Sequence, residues 1–168
     1  GAWQAKKAKL KERIRQIAEK LMRIAAERHL RSAPVYDPPH GIWESFEARF
    51  PYQETEDQLS AIADVMHDLE AGVPMDRLVV GDVGFGKTEV AIRAAFAAVL
   101  GGGQVAVICP TTLLARQHYR SFADRFRGFP VTVRQLSRFV PAKEAAKTRE
   151  GMADGTIDIV VGTHALLA

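Results

Sequence analysis

Gly81-Asp82-Val83-Gly84-Phe85-Gly86-Lys87-Thr88 decides how this chain is read. The octapeptide fits G-x-x-x-x-G-K-[ST], in which glycines let successive backbone N–H groups converge on phosphate oxygens. It stands between a short apolar run, Leu78-Val79-Val80, and a stretch from about Thr88 to Leu100 that ends at Gly101-Gly102-Gly103. A strand, a tight turn and a helix in that order direct the positive end of the helix at the phosphates. Lys87 then reaches the β- and γ-phosphates and the Thr88 hydroxyl ligates Mg²⁺. On average composition, a chain of this length shows the pattern by chance about once in two hundred. The octapeptide therefore predicts nucleotide binding.

Outward from the loop the chain alternates. Thr55 is placed to cap a helix from Glu56 to about Ala71. Downstream, a strand Gln104 to Cys109, a helix Thr112 to Phe126, a strand Val131 to Gln135, a helix Ala142 to Ala153 and a strand Ile157 to Val161 follow in turn. Apolar, β-branched strands between helices predict an α/β fold, a doubly wound parallel sheet covered on both faces. In such sheets ligands gather at the carboxyl ends of the strands, so the loops after each strand form one candidate edge.

The amino-terminal part is a different object. Residues 1–31 carry a net charge of +7 and residues 32–168 a net charge of −4, which the total of +3 conceals. Trp3, Leu10, Ile14, Ile17, Leu21 and Ile24 recur at helical spacing, predicting one amphipathic helix from about Trp3 to Leu30, about 42 Å long. Two uses fit it: docking the stripe on a neighbouring domain with the basic face in solvent, or attraction to nucleic acid or an acidic partner. Ser32-Ala33-Pro34-Val35-Tyr36-Asp37-Pro38-Pro39-His40-Gly41 cannot continue that helix. The expected organisation is a basic linker helix over 1–31, a Pro-rich connector over 32–49, and a nucleotide-binding lobe over 50–168.

Composition excludes other classes. With 168 residues, 47% hydrophobic and 26% charged, the chain is too apolar for a disordered protein and contains no run long enough to span a bilayer. The lone Cys109 cannot form an internal disulfide, and its place at the end of an apolar strand marks a small buried residue, so a reducing cytoplasm is the expected compartment. The histidines show no metal-ligand spacing. Phe122, Phe126 and Phe129 follow a helix face and are expected to pack in the core.

Several further segments, taken in order, resemble the motifs of superfamily 2 helicases. They are Phe50-Pro51-Tyr52-Gln53-Glu54-Thr55-Glu56-Asp57-Gln58, Met75-Asp76-Arg77-Leu78, the phosphate loop, Pro110-Thr111-Thr112-Leu113-Leu114-Ala115-Arg116-Gln117-His118, and Gly162-Thr163-His164-Ala165-Leu166-Leu167. Within that superfamily the pattern is similar to the bacterial transcription-repair coupling factors. The fork-regressing helicases normally carry Ser at the position of Phe85 and a Thr-Gly pair where this chain has Leu136-Ser137-Arg138-Phe139. The resemblance implies a RecA-like lobe of an ATP-driven double-stranded DNA translocase that displaces stalled RNA polymerase and recruits nucleotide excision repair proteins. A fork-remodelling helicase and a nucleotide-sensing module that binds ATP without translocating are the alternatives.

Carried over by position, the resemblance implies an ATP site made of Phe50, Gln58 and the loop residues Gly81, Asp82, Val83, Gly84, Phe85, Gly86, Lys87 and Thr88, with Lys87 and Thr88 serving catalysis and Thr88 holding Mg²⁺. Gln58 would read adenine, its amide donating and accepting at once. Thr111, Thr112, Gln117, Ser137, Arg138, Gly162, Thr163 and His164 would contact the DNA backbone, although both threonines are equally placed to cap a helix. Hydrolysis also needs an acidic residue after an apolar strand. The chain has no Asp-Glu pair, and the resemblance implies that the acidic motif lies beyond Ala168. The expected sheet is therefore incomplete, Leu78 to Val80 lacks pairing partners, and the 168 residues alone are expected to be weakly stable and to show no DNA-stimulated ATPase.

Overall fold

The computed structural model describes residues 2–167, so Gly1 and Ala168, the outer bounds of the first and third expected segments, lie outside the described residues. In chain order the elements are α1 (Ala2–His29), α2 (His40–Glu47), α3 (Glu56–Glu70), α4 (Lys87–Leu100), β1 (Val105–Ile108), α5 (Thr112–Arg125), β2 (Val133–Leu136), α6 (Ala142–Ala153) and β3 (Ile159–Gly162), followed by a 3₁₀ turn His164–Leu167. The strands form one parallel sheet in the order β1-β3-β2. Central β3 pairs Ile159 with both Val105 and Val133, and Gly162 with both Ile108 and Leu136. A Cβ at Gly162 would collide with the Leu136 carbonyl oxygen, so the close approach at this strand end requires glycine.

This is the incomplete α/β lobe that the sequence predicts, with helices at the expected places and strand limits shifted by one or two residues. Thr55 caps α3 through a full capping box: its hydroxyl accepts from the Gln58 N–H while the Gln58 side chain accepts from the Thr55 N–H. The expected strand Leu78-Val79-Val80 does not form. Leu78 is 86% and Val80 82% exposed, because a strand exists only where its N–H and C=O groups meet a neighbouring ladder. Coverage of both faces holds for β3, which is buried throughout, whereas Ala106 and Ile108 of β1 are open.

The main core lies between the sheet and helices α2, α4 and α5. Phe46 of α2 is fully buried and stacks on Phe96 of α4 with ring centroids 3.9 Å apart, flanked by Phe126 and Phe129. Phe122 and Phe126 are buried on α5, and Phe129 packs at the core edge, as their spacing predicts. Helix α2 was not expected, since Pro38-Pro39-His40-Gly41 reads as a break. The prolines precede the helix, where a missing N–H costs nothing, and Phe46 supplies the burial that holds so short a helix in place.

Helix α1 stands apart. Its apolar stripe is exposed, from 73% at Trp3 to 47% at Ile24. Its carboxyl end is fastened to the lobe by an Arg28–Asp76 ion pair, by the Ala33 N–H donating to the Gly72 carbonyl at 2.8 Å, and by the Tyr36 N–H donating to the Leu69 carbonyl at 3.1 Å. The Tyr36 ring lies where side chains on Gly101 or Gly103 would stand, so those glycines seat the connector as well as ending α4.

Candidate nucleotide and nucleic-acid sites

The phosphate loop takes the shape its glycines allow. Gly84 and Gly86 have φ of +88° and +72°, and Gly86 is the N-cap of α4. Neither conformation suits a residue with a Cβ, and one on Gly86 would also strike the Gln58 amide. Helix α4 begins at Lys87, so the first N–H groups of Lys87 and Thr88 have no acceptor within the helix and are free for an anion. The Lys87 ammonium donates to the Gly81 carbonyl at 2.5 Å and the Asp82 carbonyl at 2.6 Å, folding back over the loop it would serve.

Gln58 joins this loop directly. Its Oε1 accepts from the Thr55 N–H at 2.9 Å and its Nε2 donates to the Phe85 carbonyl at 2.9 Å. A side-chain amide has two N–H groups and two lone pairs, so one of each is left unspent. Phe50 stands edge-on to Tyr52, with centroids 5.6 Å apart. Phe50, Gln58, Val83, Gly84, Phe85, Gly86 and Thr88 line one cleft of about 1150 Å³, together with Ser121, Asp124 and Arg125 of α5. That volume suits a nucleotide. Gly81, Asp82 and Lys87 lie on the loop just outside the cleft lining.

Beneath the cleft is a charge network that the sequence did not announce. Arg93 of α4, 1% exposed, donates to Glu47 at 3.0 Å, to Glu89 at 3.0 Å and to Glu54. Arg125 of α5 donates to Glu89 at 2.7 Å and 3.2 Å, and its guanidinium lies 4.0 Å from the Phe46 ring centroid. The Arg93 hydrogen bond holds the Glu54 carboxyl below the usual carboxylate range. Burial alone would lower the Arg93 value, and its hydrogen bonds to Glu54 and Glu89 more than offset that. The one signal in the sequence was Glu89 and Arg93 four apart on a helix that is otherwise apolar on that face. Burial likewise pushes the Cys109 thiol up, as expected of a packed residue.

A second groove lies at the carboxyl ends of the strands. It gathers Thr111, Thr112, Ser137, Arg138, Thr163 and His164, with Pro110 and, unforeseen, Arg149 of α6. The Thr111 hydroxyl accepts from the Leu114 N–H at 3.2 Å and so caps α5, while its own proton stays available for donation. The Ser137 hydroxyl is buried without a partner. Gly162 is buried in β3 behind the groove, and Gln117 sits on an exposed face of α5 beside Leu113, Arg116 and Arg120, away from the other candidates. No described helix is long and apolar enough to cross a membrane.

A phosphate loop at the head of α4 and a parallel sheet with its loops on one edge define an α/β nucleotide-binding lobe of the helicase type. Residues 55–168 match the DEAD/DEAH box helicase model, and the chain belongs to that family. It is 49% identical to the transcription-repair-coupling factor of Bacillus subtilis over 99% of this chain and 14% of that protein. It is 48% identical to the proteins of the same name from Mycobacterium tuberculosis, over 98% of this chain and 13% of the relative, and Rickettsia bellii, over 99% and 15%. The chain thus spans about a seventh of these relatives' length. Among solved structures it is similar to RecG bound to a three-way DNA junction, with a TM-score of 0.80 and 35% identity over 86% of this chain and 20% of RecG. A hypothetical ATP-dependent RNA helicase from Sulfolobus tokodaii shares the fold, with a TM-score of 0.55 and 23% identity over 74% of this chain and 34% of that one.

Proposed function

We propose that this chain is the ATP-binding lobe of a double-stranded DNA translocase that couples transcription to nucleotide excision repair by displacing stalled RNA polymerase. The observation that supports the reading is the single cleft lined by both the Phe50–Gln58 segment and the phosphate loop, in which this reading assigns the Gln58 amide to the base and the start of α4 to the phosphates. The identity to transcription-repair-coupling factors supports the choice of partner, and the likeness to RecG on a DNA junction supports DNA as the track.

In this reading ATP with Mg²⁺ supplies the phosphoryl bond whose hydrolysis drives the motor. The loop N–H groups and the start of α4 bind the phosphates, and Lys87 exchanges its Gly81 and Asp82 carbonyl partners for phosphate oxygens. Thr88 holds the metal, Gln58 uses its unspent N–H and lone pair on the adenine edge, and Phe50 packs on the base. Thr111, Thr112, Ser137, Arg138, Thr163 and His164 grip the DNA backbone through their shared groove, with Gly162 keeping the strand end slim beneath them and Gln117 meeting the backbone separately, from its own exposed face of α5. Residues 1–31 link this lobe to a polymerase-binding part, through the connector over 32–49.

The test is ATPase activity of the full-length protein with and without duplex DNA. Stimulation by DNA, its loss in Lys87→Ala, and a DNA affinity in Arg138→Ala that is weaker with a salt slope smaller by about one are expected. ATP binding with no DNA stimulation would overturn the motor reading in favour of a nucleotide sensor.

A further inference from the structure

Arg93 is the most deeply buried charge among the described residues, and three carboxylates from three separate segments converge on it. Glu47 ends α2, Glu89 lies one turn earlier on α4 and directly follows Thr88, and Glu54 sits in the irregular stretch that leads to Gln58. The same guanidinium stands 5.8 Å from the Phe50 ring centroid. A guanidinium is a rigid planar fork with five N–H donors, so three acceptors engaged at once fix three segments in one plane. Buried ion networks of this kind seldom stabilise a fold more than apolar side chains of the same shape would. What this one does that apolar packing cannot is set direction and distance between the Phe50–Glu54 stretch and the phosphate helix.

We propose that Arg93, acting through Glu54, is a positioning residue for base discrimination. It holds the Phe50–Gln58 segment in register with the phosphate loop, so that the unspent N–H and lone pair of Gln58 meet adenine and refuse guanine. The inference rests on the reading that this segment recognises the base. Adenine offers an acceptor at N7 beside a donor at N6, which answers the donor and acceptor left on Gln58, whereas guanine offers acceptors at both N7 and O6. Two hydrogen bonds weaken steeply once their angles fall, so a slackened segment loses the distinction between the bases before it loses general affinity. Glu54, held by charge-assisted contact with Arg93 and 22% exposed, is the member of the network that can be altered without emptying the core.

The experiment compares equilibrium binding of ATP and GTP, each with Mg²⁺, to the full-length protein and its Glu54→Gln and Gln58→Ala variants, with thermal unfolding measured in parallel. Glu54→Gln is expected to weaken ATP about tenfold and GTP less than twofold. Some fall in melting temperature is expected from losing the Glu54–Arg93 contact in any case; a merely structural role would weaken both nucleotides alike, which overturns the proposal. An unchanged ATP:GTP ratio in Glu54→Gln beside a collapsed ratio in Gln58→Ala also overturns it and leaves base reading by Gln58 intact. An unchanged ratio in Gln58→Ala removes the reading on which the proposal stands. Arg93→Lys, which keeps the charge and loses the fork, is expected to reproduce the Glu54→Gln pattern.

Discussion

Replacing Glu89 by Ala removes the hub of the buried network. Its carboxylate, 6% exposed, accepts one hydrogen bond from Arg93 and two from Arg125. Arg93 keeps Glu47 and Glu54, but Arg125, with its side chain 8% exposed, keeps no hydrogen-bonded carboxylate, only the Phe46 ring and, 5.8 Å away, that of Phe50. A buried cation stripped of its counter-ion costs about 3 to 5 kcal/mol. Against a typical domain stability of about 5 to 15 kcal/mol, that is about a fifth of the total or more. With a urea dependence near 2 kcal/mol per molar, the unfolding midpoint should fall by about 2 M. Circular dichroism against urea reads it, and Asp124→Ala, which breaks the exposed Arg127–Asp124 pair, serves as the control at under about 1 kcal/mol. The double variant Glu89→Ala with Arg125→Leu should recover much of the loss, since no unpaired charge then remains in the core. A Glu89→Ala loss within about 1 kcal/mol, or a double variant no better than the single, would refute the claim that Arg125 is desolvated.

Gly162→Ala forces a methyl against the Leu136 backbone carbonyl, which cannot rotate away as a side chain could, so β3 must shift against β2. A loss of about 2 to 4 kcal/mol in urea unfolding is expected, and a stable variant with unchanged spectra would show that the strand ends are looser than described. Acid should unfold the lobe through carboxylates such as Glu54 and Asp68, held below their usual range by hydrogen bonds from Arg93 and Arg77 respectively. Because the folded state binds these protons more weakly than the unfolded chain does, their stabilisation is complete above the ordinary carboxylate range near pH 4 and is lost as pH falls through the lower folded values. Glu54→Gln should therefore flatten the acid limb of the stability profile, and an unaltered limb would count against the Glu54–Arg93 contact. Phe46→Ala should cost about 3 to 5 kcal/mol, because the ring is fully enclosed between α4 and α5; a loss below about 1 kcal/mol, read by the same urea titration, would place α2 outside the folding unit.

What the sequence made legible was local. The octapeptide from Gly81 to Thr88 encodes its own backbone, Thr55 and Gln58 form a cap three residues apart, and α4, α5 and α6 announce themselves by period and by the residues that stop them. What stayed hidden depends on partners distant in the chain. Leu78 to Val80 has the composition of a strand, yet no neighbouring strand pairs with it. Glu89 and Arg93 read as a helical pair, but nothing nearby shows that Glu47 and Glu54, 46 and 39 residues from Arg93, close the same network. Helix α2 is held mainly by Phe46, whose partners Phe96 and Phe126 lie far along the chain. The candidate groove shows the same division: Thr111 signals its cap through the spacing to Leu114, whereas Arg149 reaches the groove only through the packing of α6.

Helix α1 is a rod some 42 Å long, by its 28 residues at about 1.5 Å each, clamped at one end only. Its clamp, made by Arg28, Ala33 and Tyr36, grips the end of α3, the segment through Asp76 just before the phosphate loop, and the glycines that close α4. These are the two helices that carry Gln58 and Lys87. A tilt of 5° at the clamp moves the far tip by roughly 4 Å over that length. The geometry is that of a pointer on a pivot: a small shift between the carboxyl ends of α3 and α4 becomes a displacement the size of a side chain at Trp3.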